Sequence, residues 1–205
     1  MIVGACVIAG VSALMLWRGS EPRYGGKTLR EWLEWPSPGL RTTYTMPDAS
    51  RDALRNIGTN ALPCLLEWLA YERPRWRDKA VHAYEKLPSG LHSRAVENWL
   101  DNQAVEKKAH LGILGFEILG PDAAPAVSGL MRLLKESRSA RRSQNVMCCL
   151  RWVGRGARCA LPELGAIVAD RQSGLRADAA LTMEMIEPGS VRRFVADVAA
   201  NPAEK

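Results

Sequence analysis

The chain lacks the short motifs that mark most enzymes. It has no Cys-x-x-Cys, no Gly-x-Ser-x-Gly, no His-Glu-x-x-His and no glycine-rich dinucleotide fingerprint. Zinc knuckles, thioredoxin-like redox sites, serine-hydrolase elbows, zincin helices and Rossmann domains are thereby unsupported. Cysteine is sparse, with five in 205 residues at irregular spacing, too few for a disulfide framework. They read as buried thiols packing like small hydrophobes. Three histidines, His82, His92 and His110, fall on separate expected helices without ligand spacing, so no metal and no cofactor is expected. Gly26-Lys27-Thr28 suggests a phosphate loop, but Glu21 stands where that loop needs its first glycine. Phenylalanine and tyrosine are also scarce, two and four against seven tryptophans. Most of those tryptophans sit at or beside apolar-stripe positions, where the ring fills gaps between helices.

What is present is apolar and basic. The composition is that of a globular chain, 47% apolar and 24% charged, with a formal net charge of +6. Excess positive charge favours acidic proteins, anionic lipid or nucleic acid as partners.

Residues 1–17 contain no charged side chain, and Arg18 ends the run. As a helix they span about 25 Å, the short end of what a bilayer core needs. Trp17 followed by Arg18 has the chemistry of an interfacial anchor. The expectation is a single-pass segment in a bacterial inner membrane, with a cleaved signal peptide (and a secreted or periplasmic body) as the rival. Residues 18–47 then form a linker with one short helix, which Thr28-Leu29-Arg30-Glu31 starts as a capping box.

From residue 48 to 200 the apolar period is helical throughout, with no convincing strand, and residues 201–205 are a tail. Helices pair at intervals, and a glycine-to-proline punctuation recurs between partners. It reads Gly58 to Pro63, Gly120-Pro121 to Pro125, and Gly154 to Pro162. Glycine suits the end of a first helix, where φ turns positive, and proline suits the first turn of a second. Small alanines between them allow the two helices to cross closely. A second pair, spanning about 75–100, and a fifth, about 175–198, follow the pattern more loosely. The fold expected is all-α, an α-solenoid of about five antiparallel helix pairs behind an apolar N-terminal helix.

On Leu119-Gly120-Pro121-Asp122-Ala123-Ala124-Pro125-Ala126-Val127 and Val153-Gly154 through Leu164, the chain resembles HEAT-repeat proteins. It is most similar to bacterial ones that begin with a membrane-spanning or signal segment, in which a juncture like Pro22-x-Tyr24-x-Gly26-Lys27-x-Leu29-x-x-Trp32-Leu33 precedes the array. The resemblance implies a scaffold for protein–protein contact, with no enzymatic residues to transfer.

The sharpest local signal is charge. Arg132, Lys135, Arg138, Arg141, Arg142, Arg151, Arg155 and Arg158 lie within one stretch opposed only by Glu136. Arg138 and Arg142 are expected to share a helix face, as are Arg151 and Arg155. These eight residues are the candidate patch for an anion or an acidic partner. The leading expectation is a non-enzymatic, membrane-tethered interaction module holding a protein segment along the second helices of its pairs. The alternative is a nucleic-acid-binding protein of the DNA-glycosylase kind, which needs the patch to converge beside an aromatic and a carboxylate. A chromophore lyase would further require a reactive acid or thiol that the sequence does not single out.

Overall fold

A computed structural model of the chain describes residues 21–34, 46–70, 75–88, 93, 96 and 103–200. The chain is mostly helical. α1 is Leu29–Leu33, α2 Asp48–Ile57, α3 Leu62–Ala70 and α4 Arg75–Glu85. They are followed by α5 (Gln103–Leu119), α6 (Val127–Glu136), α7 (Ala140–Val153), α8 (Leu161–Ala169), α9 (Arg176–Ile186) and α10 (Ser190–Ala200). Short 3-10 corners, Gly58–Ala61, Gly120–Ala126 and Gly154–Ala160, join α2 to α3, α5 to α6 and α7 to α8. The apolar run 1–17 and the tail 201–205 lie outside the described residues. Among the described residues, no helix is long and apolar enough to cross a membrane.

The linker contains more structure than its turn-rich composition suggested. Arg23–Tyr24 (β1) and Lys27–Thr28 (β2) pair antiparallel. Gly25 and Gly26 between them take φ of 56° and 82°, the two positive values a two-residue hairpin turn requires. The hairpin folds onto Trp32: the indole Nε1 donates to the Tyr24 carbonyl at 2.9 Å. Lys27 Nζ lies 4.7 Å from the centre of the same ring. Gly26-Lys27-Thr28 is therefore a turn glycine followed by a hairpin strand, with its lysine on an aromatic. Thr28 caps α1 as its sequence implies. Its Oγ1 accepts from Glu31 N at 3.2 Å, and Glu31 Oε2 accepts from Thr28 N at 2.6 Å. α1 buries Leu29 and Leu33 and packs against α2 and α5.

The glycines of the three corners take φ of 60°, 53° and 62° at Gly58, Gly120 and Gly154. With ψ of −139° at Gly58 and −132° at Gly154 these are conformations outside the left-handed helical well, where a side chain costs about 1–3 kcal/mol, so the punctuation is a backbone requirement. Its packing role differs from the expectation. Helices on either side of a corner meet chiefly through the 3-10 segment, while the closest packing is of α3 on α5, α6 on α7 and α8 on α9. The small residues serve the corners themselves, which stack first on second and second on third. Ala61, Ala123, Ala126, Ala157 and Ala160 are buried in them. A Cβ on Gly156 would come within 2.9 Å of Ala124 Cβ.

Two rows result. α2, α5, α7 and α9 touch in series. In the other row α3 meets α6, α6 meets the third corner, and α8 meets α10. α5, α7 and α9 run parallel. Arg141 bonds Glu106 and Gln144 bonds Asp178 near the helix starts, while Arg158 reaches Glu187 beyond the ends of α7 and α9. Between the rows lies the core, in which Phe116, Leu130, Val146, Met147, Leu150, Val153, Leu164 and Ile186 are fully buried. Each such side chain contributes roughly 1.5–3 kcal/mol of transfer free energy.

The second expected pair does not stand between the first and third. α2 packs directly on α5, and α3 on both α5 and α6. α4 forms as its pattern implied, but most of the expected partner, 91–100, lies outside the described residues. The cause is in α5. A Cβ on Gly112 would lie 3.0 Å from Leu69 Cγ, and one on Gly115 would run into both δ-carbons of Leu65. Two bare helix positions one turn apart bring α5 onto α3 and leave no space for a helix between them.

Candidate binding surface

Three of the eight basic residues are engaged by acids on other segments. Lys135 pairs with Glu163, tying α6 to α8. Arg141 pairs with Glu106 at 3.5 Å, tying α7 to α5. Arg158 in the third corner pairs with Glu187 at 3.2 Å, beyond α9. Two expected i, i+4 pairings are also absent. Arg138 lies in the loop before α7, which begins at Ala140, so Arg138 and Arg142 do not share a helix. Arg151 and Arg155 are separated by Gly154, whose positive φ ends α7. Three of the eight thus connect neighbouring segments. Exposed pairs of this kind contribute about 0–1 kcal/mol each, so they set register more than stability.

Arg132 is placed differently. It borders a groove of about 540 Å³ between α3 and α6, with Leu62, Leu66, Gly129 and Leu133 among its apolar lining and Glu67 on the α3 side. Among the described residues Arg132 and Glu67 form no ion pair. Pro63 and Pro125 line the groove too, so the corners help to shape it. Gly129 makes room for Leu66: a Cβ there would lie 2.6 Å from Leu66 Cδ1. The chemistry available is apolar burial flanked by one cation and one anion. The charge pattern missed this groove because eight of its eleven lining residues carry no polar side chain. The signal that marks it is Gly129 itself, a glycine inside a helix, which costs about 1 kcal/mol against alanine and flags a close approach.

No family model, curated protein or solved structure matches this chain. Its chemistry has to be read from its own side chains. Burial pushes the Cys64 thiol up to about 12 and the Cys149 thiol well above its ordinary value, which keeps both protonated and unreactive. Glu31 in the capping box is held below its ordinary range by its bonds to Thr28, and two further carboxylates are lowered by structural bonds near α10. Glu184 accepts from the backbone N–H groups of Gly189 and Val191 at 2.8 and 3.0 Å, which lowers its pKa. Glu187 is lowered by the hydrogen bond from Arg193 and by the charges of Arg158, Arg193 and Arg155. Both acids fasten the turn into α10. Among the described residues no three His, Cys, Asp or Glu gather as a metal site.

The tryptophans divide. Trp68 is buried as expected, with the Arg30 guanidinium 5.8 Å from its ring centre. Trp152 contradicts the core reading: it is 42% exposed on α7. Its neighbours Val146, Cys149, Leu150 and Val153 take the inward face, and position 152 falls opposite them.

Proposed function

We propose that the body is a HEAT-like α-solenoid, tethered to a membrane through residues 1–17, that acts as a non-enzymatic protein-interaction module. It holds an apolar segment of a partner protein in the groove between α3 and α6. The observation that carries this reading is the groove: apolar over most of its lining, shaped by Pro63 in the first turn of α3 and Pro125 in the second corner, and flanked by Arg132 and Glu67, which form no ion pair among the described residues. A segment with two or three apolar side chains on one face and an acid beside them matches that lining. Arg132 is the member of the basic set that then acts in recognition. Support for the solenoid comes from the two rows of helices and the stacked corners.

The nucleic-acid alternative needs the eight basic residues to converge. Three are engaged by acids on three different segments, and Arg138 stands in a loop, so this reading lacks a surface.

The test is site-specific photocrosslinking in cells. A benzophenone amino acid replaces Arg132 at the groove or Gln144 on the exposed side of α7. A discrete protein adduct from position 132, absent from 144 and abolished by Gly129→Leu, is the expected outcome. Equal adduct patterns from both positions, or insensitivity to Gly129→Leu, overturn the groove reading.

A further inference from the structure

The first row has an outer face that the groove reading does not use. On α7, Cys148 and Trp152 lie one turn apart, opposite the buried stripe Val146, Leu150 and Val153. On α9, Leu181 and Met185 lie one turn apart, opposite Ala179, Met183 and Ile186. The two helices are parallel neighbours, in a register set by the 2.9 Å bond from Gln144 to Asp178. That register places Cys148 level with Leu181, and Trp152 level with Met185. Trp152, Leu181 and Met185 are 42%, 52% and 52% exposed. Three large apolar side chains so exposed on adjoining turns are unusual for a surface in contact with water alone.

Charge says what covers them. Arg151 stands beside Trp152 on the α9 side of α7, and Arg155 follows in the third corner. Neither belongs to an ion pair among the described residues, although Arg155 lies close enough to Glu187 to lower that acid's pKa. The face ends at α5, which shows His110 and Glu117 to solvent. A tryptophan, a leucine and a methionine flanked by arginines have the chemistry of a bilayer interface. The indole sits at headgroup depth, the aliphatic chains enter the acyl boundary, and each guanidinium meets a phosphate. The chain also carries seventeen uncharged residues at 1–17, enough apolar surface to keep the body near a membrane.

We propose that the outer face of α7 and α9, centred on Trp152, Leu181 and Met185 with Arg151 and Arg155 beside them, lies on an anionic lipid surface. The body then rests on the membrane through its first row and leaves the groove of its second row open to a partner. The two surfaces are on different rows, so either reading stands or falls without the other.

The test uses the full chain with a benzophenone amino acid replacing Leu181 or Met185, and, as the comparison, Ser128 on the exposed side of α6. Each protein is mixed with vesicles of phosphatidylcholine and phosphatidylglycerol, irradiated, and analysed for lipid adducts by mass spectrometry. Adducts at 181 and 185 at least tenfold above those at 128 are expected. Arg151→Gln lowers the yield about fivefold, the effect of one cation near an anionic surface, and loss of phosphatidylglycerol, which removes the partner of both arginines, lowers it further. Adduct yields at 181 and 185 no higher than at 128 overturn the proposal. So does a yield indifferent to phosphatidylglycerol. Irradiation in native membranes that joins 181 or 185 to a protein instead of lipid assigns the face to a protein partner and likewise overturns it.

Discussion

Gly115→Ala probes the contact that decides how the rows are assembled. Alanine in a helix interior is favoured over glycine by about 1 kcal/mol, so the substitution stabilises an isolated α5. In the folded chain the new methyl meets the δ-carbons of Leu65, which is fully buried and has nowhere to move. Overpacking of this kind costs about 1–3 kcal/mol, so the net change runs from near zero to a loss of about 2 kcal/mol. Leu65→Ala by itself costs about 2–5 kcal/mol through lost burial and a residual cavity. With Leu65 shortened, the Gly115→Ala methyl enters that cavity, and the helix preference of about 1 kcal/mol is left to act. Gly115→Ala should therefore change sign between the two backgrounds, with a coupling of about 1–3 kcal/mol. Urea denaturation followed by far-UV circular dichroism measures all four corners of the cycle, with equal m-values as the check on the unfolded state. The same Gly115→Ala effect in both backgrounds would refute the direct seating of α5 on α3. It would reopen the space for a helix pair between the first and third.

Gly154→Ala places a Cβ at φ 62° and ψ −132° with no neighbour within 4 Å, so its cost of about 1–3 kcal/mol is backbone strain alone. Gly174→Ala, also free of neighbours but without a positive φ, is the control and should be neutral or slightly stabilising in the same thermal melts. Glu184→Gln should lower the melting temperature at neutral pH, because the carboxylate that accepts from Gly189 and Val191 is gone. Since the Glu184 pKa is depressed on folding, its contribution is complete above the ordinary value of 4.5 and is lost as pH falls through the folded value. Melts of wild type and variant should therefore converge in acid, and a gap that persists there contradicts the linkage. Lys135→Gln breaks the pair with Glu163, whose side chains are 59% and 41% exposed, and should cost no more than about 1 kcal/mol in urea titration.

Local features were the most legible part of the sequence. The capping box at Thr28 and Glu31 depends on two residues three apart, and it forms as read. The corner glycines need only their own φ, and all three adopt it. The inward stripe of α7 depends on the helical period, and Val146, Cys149, Leu150 and Val153 are all buried. The site was much less legible. A run of like charges along the chain says nothing about the acids that other segments bring to it, and Glu106, Glu163 and Glu187 arrive from outside the run. Arg132 was among the candidates on charge, but the apolar groove that gives it a role has walls on two helices about sixty residues apart.

The sequence by itself determined that the described chain is mostly helical, where its corners fall and which face of most helices turns inward. Those properties follow from backbone dihedrals and from a period of 3.6 residues, both of which act within a few positions. Only the tertiary structure decided which helices touch. The glycine-to-proline corners separate helices that the pattern placed side by side, and stacking of the corners brings together helices that lie far apart in the chain. That choice rests on close approach at Gly112, Gly115, Gly129 and Gly156, where a missing Cβ admits a neighbour from another segment. The absence of a side chain has no period and no charge, so its consequence is visible only when the neighbour is in place.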